Sequence, residues 1–438
     1  IDEETIRQQV AIMDDLASVL SRTIPGFAPS SQKLAGRGET LRGRNPLYLV
    51  DGVPQHNALR DGQRDGHTVD TAFIERIEVI NGSNAIQGVG ATGGVVNTVT
   101  RSPVANDTWE TIAQARFTGG DGFDGDSLGH KISLLTGRGS ENFDFIAGFA
   151  YQERGLFIDP NGNAVGLYPT QGDIMDSTSL SLFGKAEWRL GRAGTLTFMV
   201  NDFDLERNGD FRAVAGDREA GIPTGTVAGD PSADVGDPAS NETTTVSLTY
   251  RNEDVWGGTI EAQVFDQSFR ALFEGGTFGG FFRLTPDGEP FLDQSAIVSD
   301  KNGVKLTYNR DIFDPTLRLT AGLDFFRDDS AQELAKSGRE WVPETRFETI
   351  APFVQLNWSI NDAFSLSGGV RQENAGLEVD DYTTIASANS TFVAGGSPDF
   401  DETLWNVGAI WRLTDNVNLY AAGSEGYSMP DVGRVLRA

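Results

Sequence analysis

The sequence predicts a transmembrane antiparallel β-barrel that follows a compact mixed α/β domain. Three observations point there. From about Trp109 onward, segments of about 10 residues alternate apolar and polar side chains, the period-two pattern of strands facing two environments. The connections between those segments are alternately short and long, as in outer-membrane barrels with short periplasmic turns and long outer loops. Finally, Trp109, Trp188, Trp256, Trp358 and Trp411 all fall at one end of the strand pattern, where an indole keeps its ring in the membrane interface and its N–H wet.

Residues 1–107 form the first domain. Ile6, Val10, Met13, Leu16, Ala17 and Leu20 recur at helical spacing, which predicts one helix over Asp2–Leu20, ending before the Pro25-Gly26 turn signal. Short β-type runs follow at Leu47–Val50, Ile77–Ile80 and Val95–Thr100. A polar loop rich in Gly, Asp and Arg, Gln55–Asp70, lies among them.

Residues 108–438 carry about 13 strands. In Leu180–Leu190 the even positions are Leu180, Leu182, Gly184, Ala186, Trp188 and Leu190, while Lys185, Glu187 and Arg189 fall opposite. Leu196, Phe198 and Val200 stand against Thr195, Thr197 and Asn201. Ile350, Pro352, Val354, Leu356 and Trp358 stand against Gln355 and Asn357. Short turns are expected at Gly137–Asn142, Gly191–Gly194, Glu253–Gly258, Asp311–Pro315, Ser359–Ala363 and Thr414–Val417. Long loops are expected at Thr118–Gly129, Arg154–Thr178, Arg207–Glu242, Phe273–Asp293, Asp329–Arg346 and Asn374–Asp401. A soluble β-sandwich would alternate in pattern but would not sort its loops by length. Single-chain bacterial barrels have even strand numbers. Thirteen strands, with a polar last stretch broken at Pro430, therefore imply part of a longer chain, with the first domain as its plug.

Composition excludes several classes. Lys and Arg number 35 and Asp and Glu 63, a net charge of −28 that argues against nucleic acid, since phosphate contacts need basic clusters. With no cysteine there is no disulfide framework, thiolate metal site or cysteine nucleophile. No run approaches 18 apolar residues, so transmembrane helices are excluded, which leaves strands free to cross.

The segment LRGRNPLYLVDGVPQ (Leu41–Gln55), followed by FIERIEVINGSNAIQGVGATGGVVNTVTR (Phe73–Arg101), resembles the plug of TonB-dependent outer-membrane receptors. LYAAGSEGYSMPDVGR (Leu419–Arg434) is similar to a mid-to-late barrel segment of that family. The resemblance implies a barrel of about 22 strands filled by a plug and driven by TonB of an inner-membrane energy complex. Both the N-terminal segment that contacts TonB and the last barrel strands would lie outside this chain. Within the family, the stretch VDGVPQHNALRDGQRDGHTVD is most similar to ferric siderophore receptors of the aerobactin and hydroxamate type. One departure stands out: many relatives carry Arg directly before the Gly that follows the I-E-V strand, and here that position is Asn81. A plug–barrel ion-pair cluster built on that Arg is thus in question, although Arg42 keeps the other expected plug cation.

Other motifs carry blander readings. Gly88, Gly90 and Gly93 fit a dinucleotide fingerprint, yet a strand-type run follows where a helix is needed to meet the pyrophosphate. Close packing of the plug is the better reading. Ser30–Lys33 matches S-x-x-K without a downstream K-T-G. His56, His67 and His130 lack metal spacing. Asp121, Asp124 and Asp126 could hold Ca²⁺ but lack EF-hand spacing and read as solvated loop acids.

In a plugged barrel the ligand enters from outside and meets the apical plug loops, Pro29–Arg37 and Gln55–His67. The candidate ligand-binding residues are Lys33, Arg37, Gln55, His56, Asn57, Arg60, Arg64 and His67, because oxygen-rich, often anionic iron complexes suit guanidinium forks and amide donors. Phe273–Phe282 could add an aromatic wall or lid. The expected function is active import of a ferric siderophore, with ferric iron present only as cargo, no catalytic residues, no resident metal and no cofactor. Expected partners are the ferric siderophore, TonB, outer-membrane lipid and lipopolysaccharide, and no nucleic acid. The alternatives are a receptor for another scarce ligand (a corrinoid, haem, a glycan or an aromatic compound) or a barrel that serves as a platform for a partner protein.

Overall fold

A computed structural model describes residues 1–438 except 61–63, 104–106, 121, 123–124, 169–170, 230–235, 275–282, 285–289, 292, 314–315, 430 and 438. Asp121 and Asp124 of the calcium reading, and most of the aromatic Phe273–Phe282 stretch, therefore lie outside the described residues.

The first domain begins with two helices where the periodicity predicts one: α1 (Glu3–Val10) and α2 (Leu16–Thr23). The break has a local cause. Asp15 adopts extended backbone and accepts a hydrogen bond from Ser18 N, capping α2, while Asp14 is drawn outward to barrel cations. A four-stranded sheet follows, with β1 (Leu47–Val50), β2 (Val53–Pro54), β3 (Ile74–Asn81) and β4 (Gly94–Thr100) in the order β2-β1-β4-β3. β1 and β4 are parallel and the other pairs antiparallel.

Thirteen long strands then form one continuous antiparallel sheet in which each pairs with its neighbour in sequence. They are β5 (Trp109–Thr118), β6 (Gly129–Gly139), β7 (Phe143–Arg154), β8 (Ser177–Leu190), β9 (Gly194–Arg207), β10 (Ser240–Val255) and β11 (Gly258–Leu272). β12 (Ser295–Phe313), β13 (Leu317–Leu334), β14 (Arg339–Asn361), β15 (Phe364–Val379), β16 (Asp399–Thr414) and β17 (Val417–Ser424) complete the sheet. The sheet curls around the first domain without closing, leaving β5 and β17 as its edges.

The alternation read from the sequence separates the two faces. On β8, Leu180 and Leu182 point outward, nearly half exposed, while Ser179, Ser181 and Lys185 face the plug and are buried. The same split holds on β14, with Ile350, Val354 and Leu356 outside and Thr349 and Gln355 inside. An apolar outer band with a polar lumen is the membrane-barrel arrangement, the reverse of a soluble protein. The five tryptophans sit exposed at the short-turn end. There Trp109 meets Phe145 edge-on at 5.7 Å, and Trp188 meets Phe143 at 5.1 Å.

One loop expectation is overturned. Asp329–Arg346 is mostly strand: β13 and β14 run on to Leu334 and from Arg339, joined by a four-residue connection. Spanning the bilayer takes only about 9–11 residues, yet these strands have 18 and 23, so the hairpin continues beyond the lipid. There polar side chains are tolerated on both faces, so its sequence loses the alternation that marks a strand.

The plug and the wall share a core. Val19, Phe73, Ile74 and Val96 of the plug pack with Leu135, Ile146, Ala150, Phe183 and Met199 of β6–β9, and Phe73 stacks on Phe183 at 5.1 Å.

Candidate ligand vestibule

The apical plug loops meet the upper wall, and their polar residues divide into three groups. The first group ties loop to wall. The Lys33 ammonium pairs with the fully buried Asp173 of the outer loop between β7 and β8. Around it, Leu34 N donates to Gly172 O and Ile174 N to Gln32 O, at 3.2 and 3.3 Å. His67 Nε2 lies 3.3 Å from Lys33 O. Arg64, at 1% exposure, donates to Ser240 O and Asn241 Oδ1 at 3.1 and 2.7 Å and covers the Phe273 ring at 4.5 Å. Burial holds its guanidinium down to about 9, so it remains charged at neutral pH.

The second group is enclosed between plug and wall. Gln55 accepts from Gln267 Nε2 at 2.8 Å. His56 is buried, its ring edge-on to Phe326 at 6.2 Å. Burial, with Lys301 nearby, pushes its imidazole down to about 3, so it is neutral at physiological pH. Asn57 Oδ1 accepts from Arg60 N, and the next residue, Ala58, donates its N–H to Asp328 Oδ2 at 2.8 Å.

The third group is a cationic cluster to which the C-terminal segment contributes. Gly433 N donates to Leu59 O at 2.9 Å and Gly90 N to Tyr427 O at 3.0 Å, which lays residues 427–429 and 431–437 across the plug apex. This brings Arg434 and Arg437 near Arg60, with Arg37 within electrostatic reach. Asp431 faces this group, 3.4 Å from Arg60 and 3.2 Å from Arg434. Arg437 covers the Trp341 ring at 3.8 Å, a cation–π geometry. Burial, with Arg60 nearby, lowers its guanidinium to about 9. Three guanidiniums, those of Arg60, Arg434 and Arg437, gather at one carboxylate with Arg37 beyond Arg60, and in a chain of net charge −28 they make an anion-accepting spot.

Of the residues named from sequence, the structure brings Arg37 and Arg60 into this cluster. It places Gln55, His56, Asn57 and Arg64 in plug–wall contacts, and Lys33 with His67 at a plug–loop contact. Arg434, Arg437 and Trp341 were not legible from the sequence, because nothing local places residues 434–437 over residue 60. Among the described residues no group of three or more His, Asp or Glu is placed to hold a metal ion.

The departure at Asn81 also has a structural outcome. Asn81 is exposed at the end of β3, and Arg42 is exposed and makes no ion pair among the described residues. Glu373 of β15 is instead paired within the wall by Arg371, at 2.5 Å, and Arg371 also reaches Asp324 at 2.8 Å. Gly88 packs directly on this trio. A Cβ there would overlap the Glu373 carboxylate and lie 2.7 Å from Arg371 Nε, and one on Gly93 would lie 2.5 Å from Asn45 O, so these two glycines of the false nucleotide fingerprint serve close packing.

Comparison with known proteins gives the arrangement its family. Residues 1–95 match the TonB-dependent Receptor Plug Domain, and residues 192–437 match the TonB dependent receptor-like β-barrel. The chain belongs to the TonB-dependent receptor family. Members of this family are outer-membrane proteins of Gram-negative bacteria, and that is where this receptor chain belongs. It is 27% identical to the rhizobactin receptor of Rhizobium meliloti (strain 1021), over 98% of this chain and 61% of that protein. It is also 27% identical to the ferric aerobactin receptor of Klebsiella pneumoniae, over 99% and 62%. Among solved structures, the ferric citrate transporter FecA, unliganded, superposes with a TM-score of 0.70 at 16% identity, covering 96% of this chain and 62% of that one. The copper transporter OprC gives 0.71 at 16% identity, covering 94% and 61%. At that identity these structures speak for the fold alone. The receptor chain spans about three fifths of the length of the relatives it matches.

Proposed function

We infer that this chain is the plug and first barrel section of a TonB-dependent importer of a ferric siderophore. The observation that carries the reading is the arginine cluster of Arg37, Arg60, Arg434 and Arg437 at the plug apex of an otherwise strongly acidic protein. The rhizobactin and aerobactin receptors among its relatives support the ligand class. Guanidinium forks bind anionic oxygens bidentately, and a positive spot in an acidic surround selects anions locally after long-range repulsion has excluded weak binders. In this reading the cargo carries the iron, TonB pulls the plug from the periplasm, lipid and lipopolysaccharide surround the barrel, and the protein supplies no covalent chemistry.

Trp341 under Arg437 offers an internal reporter. Titrating the intact receptor with ferric aerobactin, ferric enterobactin, ferric citrate and cobalamin should give saturable fluorescence quenching by one ferric complex. Arg60→Ala or Arg437→Ala should weaken it by about tenfold, the loss of roughly 1.4 kcal/mol. Quenching by cobalamin alone would move the reading to a corrinoid receptor. Binding without TonB-dependent uptake would favour the platform reading.

A further inference from the structure

Asp431 sits where an anion would bind. Its Oδ2 lies 3.4 Å from Arg60 Nε and 3.2 Å from Arg434 Nε, so two guanidiniums share one carboxylate oxygen. The backbone sets this position. Met429 and Val432, on either side of Asp431, are buried in one apolar cluster with Val53, Ala58 and Val89 of the plug and Phe326 and Phe347 of the wall. Gly433 N donates to Leu59 O, and a Cβ on Gly433 would lie 2.9 Å from Arg60 Cδ. With no side chain at 433, this stretch lies directly on the arginine stem and carries its carboxylate to the guanidinium.

The fit is poor for an arginine–carboxylate pair. Charge-assisted N–H···O contacts run at about 2.7–2.9 Å, and the strong arrangement is a fork of two parallel bonds. Both Asp431 contacts are longer than that. Its other oxygen, Oδ1, accepts from Arg434 N at 3.0 Å and caps the short helix Val432–Val435. A carboxylate that caps its own backbone cannot turn both oxygens toward Arg60. The cluster also holds an unused donor: Arg437 Nε is buried without a hydrogen-bond partner among the described residues. A buried donor left unpaired is unfavourable, and an arriving anion relieves it.

We propose that Asp431 is an internal stand-in for the ligand: it holds the place of a carboxylate of the ferric complex, and binding exchanges one carboxylate for the other at Arg60 and Arg434. The ligand class follows from the exchange, namely complexes that present a carboxylate free of the iron. An untethered carboxylate makes the fork that Asp431 cannot. The exchange also sets a threshold. Apparent affinity scales with the fraction of receptors whose arginines are free, so an occupant present about nine-tenths of the time weakens binding about tenfold. Simple anions that cannot outcompete Asp431 are refused. The iron-bearing ligand rests on the import reading above, whereas the occupancy of the arginines rests on the geometry.

Asp431→Asn removes the competing charge and keeps the cap, since an amide oxygen also accepts from backbone N–H groups. In calorimetric titrations of the intact receptor, citrate alone and ferric aerobactin should each bind Asp431→Asn about tenfold more tightly than wild type. Ferric enterobactin, a catecholate complex without a carboxylate, should gain less than about threefold. Asp431→Glu keeps the charge and should stay within about threefold of wild type for every probe. Asp381→Asn removes the same charge from an exposed position in the adjoining β15–β16 loop, whose Tyr382 donates to Leu436 O. It should change affinity by less than about twofold, which separates local exchange from long-range charge. A carboxylate that merely holds the arginines in place predicts the opposite sign. Weaker or unchanged binding in Asp431→Asn therefore overturns the stand-in, as does equal tightening in Asp381→Asn. An equal gain for ferric enterobactin overturns the ligand class. If citrate responds as expected and no ferric complex binds, the import reading falls and the stand-in stands. If no probe binds either protein, both fall.

Discussion

Replacing Lys131 with Met tests whether the α1–α2 corner is anchored to the wall by charge. The ammonium serves Asp14 and Asp70, whose side chains are 5% and 4% exposed. Without it, Arg116 is the remaining ion-pair partner shown for Asp14. Two arguments bound the cost. Burial alone would raise the Asp14 carboxyl, but Lys131, Arg116 and Arg154 outweigh it and hold the group at about 2, below its ordinary value of 3.8. At about 1.4 kcal/mol per unit, that difference corresponds to about 2 kcal/mol. Removing one partner of a buried pair costs about 3–5 kcal/mol. Hydrogen exchange in residues 1–24, read by mass spectrometry, should therefore accelerate between about 30-fold and several thousand-fold. The acid dependence has a definite sign. Because the folded carboxyl sits below its unfolded value, its stabilisation is complete above about pH 4 and is lost as the pH falls through 2. Lys131→Met should shift this loss to higher pH. Adding Asp14→Leu and Asp70→Asn should recover part of the protection, since replacing a whole buried charge group is often neutral. Exchange within twofold of wild type in Lys131→Met would refute the anchoring argument.

Three further outcomes follow from the same contacts. Gly88→Val should lower the stability of the plug–wall contact by about 1–3 kcal/mol through overpacking, and trimming Glu373→Ala in the same chain should restore part of it, read as coupling in a double-mutant cycle of urea midpoints. Asn81→Arg should change the urea midpoint by less than about 0.5 kcal/mol equivalent, because the site is exposed and Glu373 already has Arg371; a larger gain would mean that the inherited plug cation still finds its carboxylates. Arg64→Met should loosen the loop around residues 64–70 by about 2–4 kcal/mol, leaving Asn241 Oδ1 and Ser240 O without their donor, with protease nicking of that loop as the readout. Arg64→Lys should rescue it incompletely, since an ammonium cannot reproduce the fork.

The fold was legible wherever a pattern is local. Period-two alternation marks β8, β9 and β14 because one face must satisfy lipid and the other a polar lumen, and turn lengths sort because one end of every hairpin is periplasmic. Where the outer face leaves the lipid and polar side chains such as Ser330, Gln332 and Thr345 fill the inner face, as in the β13–β14 hairpin, the apolar–polar pattern fades and strand reads as loop. The two-helix start was hidden because Asp14 and Asp15 fit a helical period and break it only through a cap and a pull from Lys131, a residue 117 positions away. The vestibule was legible only in part for the same reason. Arg37 and Arg60 could be suspected from loop composition, whereas Arg64 meets Asn241, a residue 177 positions away, and Arg437 meets Trp341, pairings no local spacing encodes.

The backbone bonds joining Gln32 and Leu34 to Gly172 and Ile174 have a mechanical consequence. They make the plug apex and an outer loop a single small ribbon, clasped by Lys33 and Asp173. Any inward displacement of residues 32–34 must either shear that ribbon or drag the outer loop down with it. In the second case residues 172–174 follow residues 32–34, so the plug apex and this part of the outer loop respond to a pull as one body.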